Sequence, residues 1–145
     1  MNRDNLYIIT STTCGHCVNY RKNAHAKFIS TIPSNILIND LEITSDKNKN
    51  AKIMASLPKY LKIEYVPFFV YVPAKSFSDG RDIKIFGADM ETKGVPPNAE
   101  NLNFWLTENI KRYNTNSVSK PKVVIPSESL QKKISFIPRR ITNLE

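Results

Sequence analysis

Thr12-Thr13-Cys14-Gly15-His16-Cys17 holds the only two cysteines of a 145-residue chain, and its neighbours decide how it is read. Upstream, Leu6-Tyr7-Ile8-Ile9-Thr10 is a short apolar, β-branched run that predicts a buried strand. Downstream, Val18 to Ile32 contains neither Gly nor Pro before Pro33 and predicts a helix. A strand that leads through Cys-X-X-Cys into a helix puts Cys14 at the helix N-terminus. There the unpaired backbone N–H groups and the positive end of the helix dipole favour a thiolate over a thiol. Cys17 lies one turn further in, close enough to close a small disulfide ring with Cys14. That is the chemistry of a dithiol–disulfide switch.

A cysteine pair has three other uses. Half of a zinc site needs histidines to complete it, and the chain has only His16 and His25. His16 lies between the cysteines, too tightly held to chelate with both, and His25 alone leaves the tetrahedral set of four incomplete. A static structural disulfide at this spacing closes almost no loop and therefore stabilises little. A Cys-X-X-Cys-His haem attachment is excluded, because Val18 follows Cys17.

Cys14-Gly15-His16-Cys17 resembles the active site of the thioredoxin superfamily, with the Gly-His dipeptide usual in protein disulfide isomerases. Ser11-Thr12-Thr13 before it is more similar to a glutaredoxin, since thioredoxins and isomerases carry a Trp there. Tyr65-Val66-Pro67-Phe68-Phe69 resembles the cis-proline loop that leads into a central strand of that superfamily, and Leu57 to Ile63 the end of the helix before it. The resemblance spans roughly residues 5–113. It implies a minimal thioredoxin-like α/β fold, βαβαββα, with a four-strand mixed sheet flanked by helices.

The remaining elements follow in order. Ile36 to Ile43 predicts a second strand, and Ser45 an N-cap for a helix from about Asp46 to Leu61, bent or ended by Pro58. Phe68 to Val72 predicts a third strand and Asp82 to Phe86 a fourth, joined through Asp79-Gly80. After Val95-Pro96-Pro97, a helix over about Ala99 to Tyr113 repeats Leu102, Leu106, Ile110 and Tyr113 at helical spacing, with Trp105 beside them. That stripe predicts core packing.

The resemblance also assigns roles. Cys14 is expected to be the attacking thiolate, and Cys17 the more buried resolving thiol that displaces substrate from a mixed disulfide. His16 is either a solvated turn residue or an imidazole that stabilises the Cys14 thiolate. The latter stabilises the reduced form and makes the pair a better oxidant or isomerase than thioredoxin. Pro67, if cis, brings the Val66 backbone beside the sulfurs, where Val66, with Tyr65 and Gly15 around it, pairs with an extended substrate like an added strand. Thioredoxins and isomerases carry a buried acid six residues before the first cysteine; here that position is Ile8. Glutaredoxins carry a lysine near that cysteine for glutathione, where Ser11 stands, and Gly87-Ala88-Asp89 only weakly resembles their Gly-Gly-X-Asp. No cofactor or metal is therefore expected, and glutathione enters only as a candidate reductant.

Composition bounds the rest. One domain is expected over residues 1–113, and 41% hydrophobic residues suffice for one core. No apolar stretch approaches the length of a membrane span. Met1 to Asn5 leads straight into the first strand, which leaves no room for a removable signal peptide and predicts a reducing, cytoplasmic location. Residues 114–145 carry six basic and two acidic residues, half of the chain's net +8. Pro121, Pro126 and Pro138 argue against a continuous helix there, and apolar clusters such as Val123-Val124-Ile125 and Phe136-Ile137 interrupt it. This extension reads either as a solvated tail or as an anchoring arm that binds another protein. Nothing resembles a zinc finger, a helix-turn-helix or an aromatic RNA-binding strand, so specific nucleic-acid binding is not expected.

Two functions follow. The favoured one is a thiol–disulfide oxidoreductase acting on protein disulfides, reset by a partner reductase or oxidase. The alternative is a thioredoxin-like scaffold tied by its tail into a larger assembly, such as a virion.

Overall fold

β1, Asp4–Ser11, is the strand against which the rest of the sheet is laid. The structure is a computed structural model that describes residues 3–118. β2, Ile36–Ile43, pairs with β1 in parallel, from Asp4 opposite Ile36 to Ser11 opposite Ile43. β3, Phe68–Val72, runs antiparallel on the other side of β1, with Ile8 opposite Phe69 and Ile9 opposite Phe68. β4, Lys84–Ile85, pairs antiparallel with β3, which gives the order β2-β1-β3-β4 in a four-stranded mixed sheet.

Both faces of the two central strands are covered, so they read as continuous apolar runs without a polar side. One face packs Ile9, Phe68, Val70 and Val72 with Leu61. On the other, Tyr20, Phe69, Phe86 and Trp105 stack edge to face in sequence, with ring centroids 4.9, 6.0 and 5.6 Å apart. Such aromatic pairs contribute about 0.5–1.5 kcal/mol beyond their burial. Asp4 fastens the start of β1 to the end of β3, accepting from the Tyr71 hydroxyl (2.7 Å) and the Ala74 N–H (2.8 Å).

The helix expected after Cys17 begins earlier and changes pitch. α1, Gly15–Tyr20, continues into a π-helical segment, Arg21–His25, and then into α2, Ala26–Ser30. The wider turn brings residues five apart together, and the Tyr20 hydroxyl lies 2.8 Å from His25 Nδ1. α3, Lys47–Ser56, is capped by Asp46 and not by Ser45: the Asp46 carboxylate accepts from the N–H groups of Asn48 and Lys49. Asn50 fixes that choice by bonding both the N–H and the carbonyl of Thr44. The helix ends at Ser56, short of the expected Leu61, because Leu57 precedes Pro58 and takes an extended conformation (ψ 147°). The fourth strand is shorter than Asp82 to Phe86. Asp82 turns its carboxylate to the Phe77 N–H, and Ile83 closes a turn on Gly80.

α4 spans Ala99–Val118, beyond the expected Tyr113, and buries Leu102, Trp105 and Leu106. The chain divides after Ile110 into two compact units. The first holds the sheet and the cysteines; of the second, the structure describes only the end of α4. Apart from the 114–118 backbone within α4, the expected basic arm lies outside the described residues. Among the described residues, no helix is long and apolar enough to cross a membrane.

Candidate functional site

The loop between β1 and α1 is fixed before the first cysteine. The Thr12 N–H donates to Ile43 at the end of β2 (3.0 Å), and the Ser11 hydroxyl accepts from the Thr13 N–H (3.3 Å). Cys14 is then the N-cap of α1, in extended backbone conformation (φ −98°, ψ 119°), and its carbonyl accepts the first helical bond from Val18 (3.0 Å). A Ser, Thr, Asp or Asn oxygen ordinarily caps a helix by accepting a backbone N–H. Here the sulfur does so: Cys14 Sγ accepts from the Cys17 N–H at 3.3 Å.

Both cysteines are free thiols, and their surroundings split them. The Cys14 pKa is lowered chiefly by the hydrogen bond that the Cys17 thiol gives it; burial opposes this, and the backbone N–H groups of Cys17 and His16 add to the lowering. Cys17 is 1% exposed. Burial, the bond it donates to Cys14 and the charge there push its thiol up to about 11, while the Ser11 backbone and Arg21 oppose the rise. The pair therefore carries its thiolate on the outer sulfur and its proton on the inner one.

The expected site residues gather around Cys14. The Val66–Pro67 peptide is cis, and the Val66 carbonyl lies 3.7 Å from Cys14 Sγ, where it can accept that sulfur's proton only while Cys14 is a thiol. Tyr65, exposed, bonds the Phe86 carbonyl through its hydroxyl (3.3 Å) and stands edge-on to Phe68. A Cβ at Gly15 would meet nothing within 4 Å, so the space beside Cys14 is open. What His16 brings to the sulfur is its backbone N–H; the residue is exposed and forms part of the rim of a cavity of about 370 Å³. Asn19, Tyr65, Pro67, Phe86 and Pro96 also line that cavity.

Other sequence features lie elsewhere. Asp89 accepts from both the N–H and the hydroxyl of Thr92 (2.8 and 2.7 Å), and that hydroxyl accepts from the Gly87 N–H. The Gly87-Ala88-Asp89 stretch thus closes on itself. His25 sits between Tyr20 and Asp40, apart from the cysteines. Among the described residues, no group of three or more His, Cys, Asp or Glu side chains is placed to hold a metal.

One cluster was missed from the sequence. Arg21, one turn after Cys17, donates from Nε and one terminal nitrogen to Thr10 Oγ1 (2.9 and 2.8 Å). It also pairs in bidentate fashion with Asp40 (2.6 and 3.1 Å) and approaches Glu42 at 3.7 Å. The hydrogen bonds and charge of Arg21, joined by His25, overcome the upward push of burial and hold the Asp40 carboxyl below its usual range. The visible signal was Thr10, a polar residue on the Leu6–Ile8 face of an otherwise apolar strand. In comparisons with known proteins, no family model and no curated protein matches this chain.

Proposed function

We propose that this protein is a thioredoxin-like thiol–disulfide oxidoreductase that acts on protein disulfides through Cys14 and Cys17. The observation that carries this reading is the arrangement at the helix tip. A sulfur with a lowered pKa caps α1, faces the Val66 carbonyl beside cis Pro67, and has a buried thiol one turn behind it. The strand order β2-β1-β3-β4, with one parallel and two antiparallel pairings, supports the thioredoxin-like build.

In the reductive direction, the Cys14 thiolate attacks one sulfur of a substrate disulfide. That S–S bond breaks, the distal substrate sulfur leaves as a thiolate, and a mixed disulfide remains. Cys17, once deprotonated, attacks Cys14 Sγ; the substrate leaves reduced by two electrons and the Cys14–Cys17 disulfide forms. The Val66 backbone serves an extended substrate as a strand partner, and Tyr65 and the cavity rimmed by His16 accept its flanking side chains. A separate dithiol or disulfide protein returns the pair to its starting state.

Turnover of insulin disulfides with dithiothreitol as the reductant tests this. Cys14→Ser is expected to abolish the protein's acceleration over the reductant alone, and Cys17→Ser to accumulate a mixed disulfide on Cys14 visible by mass. Undiminished turnover by Cys14→Ser overturns the reading.

A further inference from the structure

Ile8, where the resemblance expects a proton acceptor, is fully buried and apolar, opposite Phe69. Cys17 nevertheless has to lose its proton before it attacks, and the structure offers it another side to do so. Cys17 forms part of the wall of a hollow of about 480 Å³, together with Ser11, Thr12, Val18, Arg21 and Glu42. This hollow lies on a different set of residues from the cavity at His16 and Pro67.

We propose that this hollow is the proton exit of Cys17, with Glu42 accepting the proton through water and Arg21 positioning both groups. The inference rests on the thiol–disulfide reading and adds residues that the resemblance does not supply.

Three features carry it. First, Ser11, Thr12, Arg21 and Glu42 put polar groups into a wall that is otherwise mostly apolar, and the hollow is far larger than a single water needs, about 10–15 Å³, so a bridging water has both room and partners. Second, the Glu42 side chain is 46% exposed. A proton taken there passes on to bulk solvent, which an acceptor sealed beneath the sheet cannot do directly. Third, the guanidinium is fixed by Thr10 and Asp40, with Glu42 at 3.7 Å from its Nε. Its positive charge favours the Cys17 thiolate as it forms. The parallel register that sets Thr10 opposite Glu42 holds these groups together. The charged groups facing the hollow are Arg21 and Lys22 from the helix and Glu42 from β2; Asp40 and His25 meet Arg21 beside it.

The Cys17 S–H proton moves through water to a Glu42 carboxylate oxygen and then to solvent. The sulfur's freed electron pair forms the bond to Cys14 Sγ, and the Cys14–substrate S–S bond breaks. Its electron pair leaves on the substrate sulfur.

DTNB, an aromatic disulfide that releases one coloured thiolate at each stage, separates attack from resolution in stopped flow. Cys17→Ser assigns the phases, because it keeps the first release and loses the second. Glu42→Gln is expected to leave the first phase within about twofold of wild type and to slow the second about 10- to 100-fold. Positioned proton transfer contributes about 100-fold and more, and solvent at the mouth of the hollow replaces part of it. The pH profile of its second phase also departs from that of wild type, and Glu42→Asp restores part of both rate and profile. A second phase in Glu42→Gln with wild-type rate and pH profile overturns the proton exit and leaves the oxidoreductase reading standing. A wild-type protein that shows no second phase overturns both.

Discussion

Replacing Arg21 by Met removes the one side chain that ties helix, β1 and β2 together beside Cys17. Two guanidinium N–H groups leave the hydroxyl of Thr10, which is 0% exposed, and Asp40 loses a bidentate partner. A buried polar group left unmatched costs about 1–3 kcal/mol, and a half-exposed ion pair contributes about 1 kcal/mol at most. Arg21→Met is therefore expected to cost about 3 kcal/mol. Thr10→Val leaves Arg21 on Asp40 but strands the donors that faced Thr10, for about 2 kcal/mol. The double variant orphans neither hydroxyl nor guanidinium, and valine suits a buried strand. With only the ion pair lost, its cost should be about 1 kcal/mol, well below the sum of the single changes, roughly 5 kcal/mol. Urea unfolding of the reduced proteins, followed through the fluorescence of Trp105, measures all four corners of the cycle. Trp105 is the only tryptophan and is buried edge-on to Phe86, so its emission reports the core. Additivity within about 0.5 kcal/mol refutes the reasoning, because it means that Arg21 and Thr10 act independently.

Two further predictions concern protons. In timed iodoacetamide labelling read by mass, Cys14 should react at lower pH than Cys17, because its lowered pKa supplies thiolate sooner, and Cys17 should stay protected until the pH nears about 11. Cys17→Ala removes the largest cause of that lowering, so the Cys14 labelling midpoint should move up; equal labelling of both thiols at pH 7 contradicts the assignment. Asp40 has a depressed folded pKa, so its contribution to stability is complete above the unfolded carboxylate value of about 3.9 and disappears as the pH falls through the lower folded value. Asp40→Asn should lack this acid limb, a difference of about 1 kcal/mol at most for a side chain 37% exposed. Parallel loss of stability in both proteins below pH 4 would show that the pairing contributes nothing.

Much of the framework was legible because local chemistry decided it. The strands over Ile36–Ile43 and Phe68–Val72 fall where their apolar, β-branched runs placed them. The position of Cys14 at a helix start followed from a strand, a turn and a Gly- and Pro-free run, none of which needs a distant partner. What stayed hidden depends on neighbours far along the chain. Arg21 finds Asp40 nineteen residues away only because β1 and β2 pair in parallel with Thr10 opposite Glu42. Ser45 and Asp46 are both good caps in isolation, and Asn50, by bonding Thr44, decided between them. The fourth strand looked longer because Asp82 and Ile83 carry no local mark of the turn that Phe77 and Gly80 impose. Of the two roles open to His16, turn residue or stabilising imidazole, local sequence could not choose, because the backbone N–H that it gives Cys14 depends on the helix start and not on the side chain.

The central claim is that Cys14 and Cys17 form one working redox couple. Equilibration of the full chain in glutathione buffers, with alkylation of free thiols and counting by mass, measures it directly. The account predicts a single reversible two-electron transition between dithiol and intramolecular disulfide. Its midpoint should lie between about −270 and −180 mV, since a stabilised Cys14 thiolate favours the reduced form. Absence of any reversible intramolecular disulfide across the buffer range contradicts it.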